Sequence, residues 1–227
     1  MTQNSLFDIV GPVMVGPSSS HTAGAVRLGN LARMITDNTR KSVTSVEFVL
    51  YNSFAKTGKG HGTDKGLLAG FMGYTVGDSR VKEALALAKT HKLNYKITNH
   101  KKANHFPPNT ARFVIQLDDG SALEITGHSI GGGKVYISQI NKDNVVLHGE
   151  TPTLVLFYKD KPGMIWQVTK ILAEKNINIA DLICKRRQRD IDAFMTITMD
   201  SMLLEEDVDQ IRNITDIFTV WALNQVE

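Results

Sequence analysis

The chain has 227 residues, with 26 Lys and Arg against 23 Asp and Glu, for a formal net charge of +3. Its 42% hydrophobic and 22% charged residues are those of a folded globular protein, which excludes a disordered, collagenous or mucin-like chain. The charge is too small to argue for nucleic acid, and the length suits one large or two small domains.

Residues 25–35 read as a helix with Leu28, Leu31, Ala32 and Ile35 on one face. Val43 to Tyr51 reads as a strand, residues 64–72 and 80–91 as helices, and Leu93 to Ile97 as a short strand. Strands over 111–117 and 122–130 flank Asp118-Asp119-Gly120-Ser121, a strong hairpin signal. Strands at 135–140 and 145–148 complete a mixed α/β unit. Turn residues and a proline between Asn141 and Pro152 mark a boundary.

Beyond it, Leu154 to Tyr158 is an apolar run suited to a buried strand. Asp160 is placed as a helix N-cap with Pro162 in the first turn, and Met164, Ile165, Val168, Ile171 and Leu172 follow at helical spacing. Asn176 marks the stop, and a strand runs from Ile177 to about Arg187. After a turn at 188–190, Ala193, Met195, Ile197 and Met199 alternate as a half-buried strand. Glu205, Glu206 and Asp207 open a second helix, where acidic residues suit the macrodipole, and 217–223 closes with a strand. The order is βαββαβ, a sheet with both helices on one face. Trp166 and Trp221 read as core or interface aromatics. The basic run Lys185, Arg186, Arg187 and Arg189 lacks interleaved aromatics and reads as a solvated hairpin tip.

The single cysteine, Cys184, excludes an intrachain disulfide and a four-thiolate zinc or iron–sulfur site built from this chain alone. Residues 1–16 lack a basic segment followed by a long apolar one, so they do not read as a secretory signal. No stretch approaches the ~18–20 apolar residues of a spanning helix. These features predict a cytoplasmic protein.

Four segments could carry chemistry. Gly16-Pro17-Ser18-Ser19-Ser20-His21-Thr22 precedes a helix, so its hydroxyls and N–H groups suit either an anion or a simple cap, with His21 as a titratable donor. Lys56-Thr57-Gly58-Lys59-Gly60-His61-Gly62-Thr63-Asp64 reads as a loop between a strand and a helix. Glycines on both sides permit unusual φ at His61, a candidate general base or acid, with Thr63 or Asp64 capping the next helix and orienting the imidazole. The alternative is a flexible turn. Pro107-Pro108-Asn109-Thr110-Ala111-Arg112 is a rigid loop entering a strand, either an ordinary turn or a site where Asn109 meets a carboxylate. Gly127 to Lys134 holds a Gly triplet that lines an anion site or forms a bulged hairpin. The seven His are scattered without metal-ligand spacing.

Taken in order, Phe7-Asp8-Ile9-Val10-Gly11-Pro12, Gly16 to Gly24, Gly58 to Asp64, Pro108-Asn109-Thr110 and Ser129 to Lys134 resemble the β subunit of bacterial iron–sulfur L-serine dehydratases. Asp160-Lys161-Pro162-Gly163-Met164 and Asn176-Ile177-Asn178-Ile179 resemble an ACT domain. The implied fold is α+β. A mixed α/β domain over 1–148, similar to the allosteric substrate-binding domain of some phosphoglycerate dehydrogenases, precedes a ferredoxin-like ACT domain over 151–227. The resemblance implies conversion of L-serine to pyruvate and ammonia with a partner α subunit. That subunit ligates a [4Fe–4S] cluster, and no metal is held on this chain. It implies His61 as base with Thr63 positioning it, and Ser18, Ser19, Ser20, His21, Thr22 and Asn109 around the substrate. For the ACT domain it implies self-association and a regulatory ligand near Asp160, Pro162, Gly163, Asn176 and Asn178. The family's His-Pro-Asn-Thr stands as Pro107-Pro108-Asn109-Thr110 here, with His105 the nearest histidine. The competing reading is a purely regulatory subunit that senses an amino acid or anion, with all chemistry on the partner.

Overall fold

The computed structural model describes residues 13–226, so the Phe7 to Pro12 motif lies outside the described residues. The chain divides into two compact units, one of the residues up to His148 together with Val226 and one over Gly149–Gln225. Among the described residues no helix is long and apolar enough to cross a membrane.

In the first unit a π-turn, Ser19–Ala23, runs directly into α1 (Gly24–Asp37). Then come β1 (Val43–Tyr51), α2 (Asn52–His61), α3 (Thr63–Phe71), a 3-10 turn (Ser79–Glu83), α4 (Ala84–Thr90) and β2 (Tyr95–His100). Four strands follow as a meander: β3 (Asn109–Leu117), β4 (Ala122–Gly131), β5 (Lys134–Ile140) and β6 (Asp143–Leu147). The sheet order is β2-β1-β3-β4-β5-β6. Only the β1–β2 pair is parallel, because helices carry the chain back across the sheet between them. The β3–β4 turn has Gly120 at φ 80°, and Lys41 holds it by an ion pair to Asp119 at 2.5 Å.

Leu28, Leu31, Ala32 and Ile35 are buried, as the helical spacing predicts. Phe48, Phe71 and Phe113 meet as an aromatic core between sheet and helices. Helices α1 and α3 run side by side in the same direction with their backbones touching. A Cβ on Gly70 would lie 1.9 Å from Val26 O, one on Gly29 2.4 Å from Leu67 O, and one on Gly66 2.9 Å from Thr22 O. This contact sets the N-terminal ends of the two helices against each other.

The Lys56 to Asp64 stretch is not a loop. Residues up to His61 continue α2, and only Gly62 takes the left-handed conformation (φ 69°). Phe54 is fully buried and Gly58 packs on Thr63, so tertiary packing outweighs the ~1 kcal/mol that each helical glycine costs.

The second unit has β7 (Thr153–Tyr158), α5 (Met164–Glu174), β8 (Ile179–Gln188), β9 (Asp192–Met199), α6 (Glu205–Arg212) and β10 (Ile217–Leu223). The antiparallel order is β10-β7-β9-β8. Leu154, Leu156, Met195 and Ile197 pack on Val168, Leu172, Val208 and Ile211, so both helices cover one face. This is the predicted α+β, βαββαβ arrangement. Asp160 is not the N-cap: Gly163 holds that position at φ 88°. The Asp160 carboxylate instead pairs with Arg186 at 2.6 Å and accepts from Asp190 N. Trp221 is buried, whereas Trp166 is 64% exposed and belongs to no core.

The helix contact has a direct test in urea unfolding. Gly70→Ala is expected to cost at least about 2 kcal/mol, since backbone must move to admit the methyl group. Gly60→Ala, with nothing within 4 Å of its Cβ, is expected to be neutral or to stabilise by up to ~1 kcal/mol. Equal effects at the two positions would contradict the packing described.

Candidate active site

The site is built where the π-turn, α2 and the start of α3 meet. Ser18 caps the π-turn: its backbone is extended and its hydroxyl accepts from His21 N at 3.1 Å. The cap directs the His21 imidazole onto α2. There Nε2 lies 3.1 Å from both Ser53 Oγ and Thr57 Oγ1. Thr57 donates its own proton to Ser53 O at 3.0 Å, so toward His21 it accepts. The network therefore assigns the ring proton to Nε2, and Nδ1 accepts from Ser20 Oγ at 3.1 Å. Burial, and then the nearby charge of His61, lower the His21 pKa. The ring is held neutral at pH 7 and engaged at both nitrogens.

His61 is its opposite. It is exposed at the end of α2, with its ring centroid 5.2 Å from that of His21 and tilted 49° to it. No hydrogen bond to its imidazole comes from the described residues. Its position is fixed through the main chain, where Thr22 Oγ1 donates to His61 O at 2.7 Å. Thr22 is buried and committed to this bond. Thr63 does not orient the imidazole: it is fully buried and its hydroxyl has no partner among the described residues. Nor does Asp64, whose Oδ1 accepts from Lys65 N. The N-cap of α3 is Gly62, without a side-chain bond.

Ser19 is half-buried beside this pair. Asn109 opens β3, where its Nδ2 approaches Ser129 O at 3.5 Å and its Oδ1 is buried without a partner among the described residues. Ser129 Oγ is likewise buried and unpaired among the described residues, set against Gly24, where a Cβ would lie 2.2 Å from it. A buried polar atom left unpaired costs about 1–3 kcal/mol, so these two mark polar capacity beside the start of α1.

Asn52, Ser53 and Thr57 were not singled out by sequence reasoning. Asn52 has φ 51° and donates Nδ2 to Ala103 O and Phe106 O at 3.0 and 2.9 Å, while its Oδ1 accepts from Ala103 N. Ser53 N donates to Pro108 O at 2.8 Å. Together they pin the loop before Asn109 onto α2. The i, i+4 spacing of Ser53 and Thr57 is their one sequence signal, and it is legible only once α2 is known to be a helix. His105 lies on Phe106, with ring centroids 4.2 Å apart, and makes no described contact with His21 or His61.

Two family models match the chain: "Serine dehydratase beta chain" over residues 5–139 and "ACT domain" over residues 153–216. The chain belongs to the serine dehydratase beta chain family. The L-serine dehydratase beta chain of Peptoniphilus asaccharolyticus is 38% identical, covering 90% of this chain and 91% of its own. The probable L-serine dehydratase beta chain of Bacillus subtilis is 37% identical, covering 97% and 98%. An L-serine dehydratase of Streptomyces coelicolor is 29% identical over 83% of this chain, which is 45% of that longer protein.

Among the described residues, a family cofactor of iron–sulfur type finds no ligand set. Among the described residues no three His, Cys, Asp or Glu are grouped to hold a metal, and the lone Cys184 lies exposed in β8. In the ACT unit a cleft of about 330 Å³ is lined by Asp160, Pro162 and Gly163 with Tyr158, Cys184 and Arg186. Asn176 and Asn178 lie outside it. Asn176 turns the chain after α5 at φ 55°, and Asn178 donates to Asp200 at 2.8 Å.

Another buried histidine braces the meander. His128 Nδ1 lies 2.7 Å from Thr110 Oγ1, which donates to Pro107 O, and His128 Nε2 lies 2.6 Å from Ser138 Oγ. Burial lowers its pKa from 6.5 to about 4. As pH falls through that window the unfolded chain takes up a proton that the folded chain refuses. The contribution is complete above pH 6.5 and lost toward pH 4, a loss of about 3 kcal/mol. Urea unfolding from pH 7 to 4 is expected to show wild type losing about 3 kcal/mol more than His128→Asn. Parallel pH curves would contradict this role.

Proposed function

We propose that this chain supplies the proton-transfer half of an L-serine dehydratase site that a second chain completes. The observation that carries the reading is the asymmetric pair: His21 tied and neutral, His61 free and 5.2 Å away. A neutral neighbour lets His61 take a proton without like-charge repulsion, as a base working near neutral pH requires. The paired N-terminal ends of α1 and α3 favour the substrate carboxylate, with Ser19 as its donor and Asn109 alongside. His61 Nε2 or Nδ1 removes the α-proton. Loss of the β-hydroxyl then gives aminoacrylate, which hydrolyses to pyruvate and ammonia.

A [4Fe–4S] cluster held by the partner α subunit would supply the Lewis acid that helps the hydroxyl leave, a reading supported by the single cysteine of this chain. The longer Streptomyces coelicolor relative, of which this chain matches less than half, is consistent with such a second component. The catalytic domain spans 1–148 and the ACT domain 151–227. The ACT cleft, lined by Asp160, Pro162 and Gly163 beside the Asp160–Arg186 pair, is the place for a regulatory amino acid. The two edge strands β8 and β10 suit self-association. The lone cysteine suits a cytoplasmic protein.

The test is anaerobic serine-dependent pyruvate formation by this chain, the partner, and their mixture. Activity is expected only in the mixture. His61→Gln is expected to lower kcat by ~10²-fold or more while complex formation is retained. Full activity from the partner alone, or with His61→Gln, would establish instead the regulatory role.

A further inference from the structure

Asn52 joins β1 to α2 at φ 51°, in the left-handed region that side chains rarely adopt and that Asn tolerates better than most. Its side chain is half-buried and spends both ends of the amide on one loop. Nδ2 donates to Ala103 O and Phe106 O at 3.0 and 2.9 Å, with Pro107 O at 3.3 Å, and Oδ1 accepts from Ala103 N at 2.8 Å. Pro107 and Pro108 bring carbonyls to this loop but no N–H groups, so donors come to it from outside. The main chain makes the same connection. Asn52 pairs with Asn109 in an antiparallel bridge, and Ser53 N donates to Pro108 O at 2.8 Å.

The clamp fixes residue 53, and His21 depends on residue 53 twice. Ser53 Oγ lies 3.1 Å from His21 Nε2. Ser53 O takes the proton of Thr57 at 3.0 Å, which leaves Thr57 Oγ1 as an acceptor 3.1 Å from the same Nε2. If Ser53 shifts, its own hydroxyl leaves the ring, and Thr57 is released to donate to Nε2 instead. The imidazole then has an alternative, with its proton on Nδ1 and Ser20 Oγ as the acceptor. The loop clamp and the histidine tautomer therefore share one backbone position.

We propose that Asn52 is a positioning residue of the proton-transfer site: by clamping the 103–108 loop to the start of α2 it holds Ser53, and through Ser53 the Nε2–H tautomer of His21. The proposal deepens the dehydratase reading above and rests on it for the kinetic half of its test.

The experiment has two readouts. Side-chain nitrogen-15 NMR of the intact chain alone, at about pH 8 where imidazoles are neutral, reads the tautomer, with His21 assigned by its absence in His21→Gln. Serine-dependent pyruvate formation in the anaerobic mixture with the partner reads kcat and KM. Asn52→Gly suits the left-handed backbone and removes the clamp. Asn52→Asp keeps the acceptor for Ala103 N and removes the donors. Both are expected to give His21 a mixture of tautomers, where wild type shows Nε2–H, and to lower kcat/KM by ~10-fold or more.

Asn141→Gly is the matched control. Asn141 has φ 52° and its Oδ1 accepts from Glu124 N at 2.9 Å, at the end of β4 away from Ser129. It is expected to keep the wild-type tautomer and a kcat/KM within ~2-fold. Circular dichroism checks that each variant is folded, and Asn52→Asp decides if Asn52→Gly is not. An unchanged His21 tautomer in a folded Asn52 variant overturns the proposal and leaves Asn52 a purely structural clamp. A kcat/KM within ~2-fold of wild type does the same. A wild-type mixture without activity defeats the dehydratase reading, and the tautomer alone then upholds or overturns the positioning of His21.

Discussion

The arrangement depends on backbone contact between α1 and α3. Gly29, Gly66 and Gly70 remove the side chains that would hold two helices at an ordinary separation, and main chain meets main chain. Because the helices run in the same direction, closing that gap also brings the π-turn to the junction of α2 and α3. Thr22 then reaches the carbonyl of His61. One short hydrogen bond thus ties the two histidines, which are distant in sequence, into one constellation. The same closeness at Gly24 sets Ser129 against the start of α1.

From this frame the electrostatics follow. His21 is engaged at both nitrogens by Ser20, Ser53 and Thr57, and burial keeps it uncharged. His61 keeps its ring open to solvent and its backbone fixed, so its position is defined without spending its nitrogens on the protein. A site of this kind moves protons well and expels a hydroxide poorly.

Much of the fold was legible because the decisive signals were local. The bounds of β1 and β10 followed from apolar runs, and the Asp118 to Ser121 turn from its residues. The βαββαβ order followed from alternation and helical spacing. The failures share a cause, which is that tertiary contact overrode local preference. Gly58, Gly60 and Gly62 argue for a loop, yet Phe54 and Thr63 packing continues the helix to His61. Asp160 fits an N-cap by spacing, but Arg186 on the neighbouring hairpin takes its carboxylate. His61 and His21 stand out in the sequence by residue type, with hydroxyls and glycines beside them. Their pairing, and the roles of Thr22, Ser53 and Thr57, were not legible, because they depend on how α2 lies across the π-turn.

The central claim is that His61 takes the α-proton of serine. The most direct measurement is the kinetic isotope effect with α-deuterated L-serine in the reconstituted complex, for wild type and for His61→Gln. If His61 is the base, the residual turnover of the variant becomes limited by carbon–hydrogen cleavage and its isotope effect rises above that of wild type. An isotope effect and a rate both unchanged by the substitution would contradict the account.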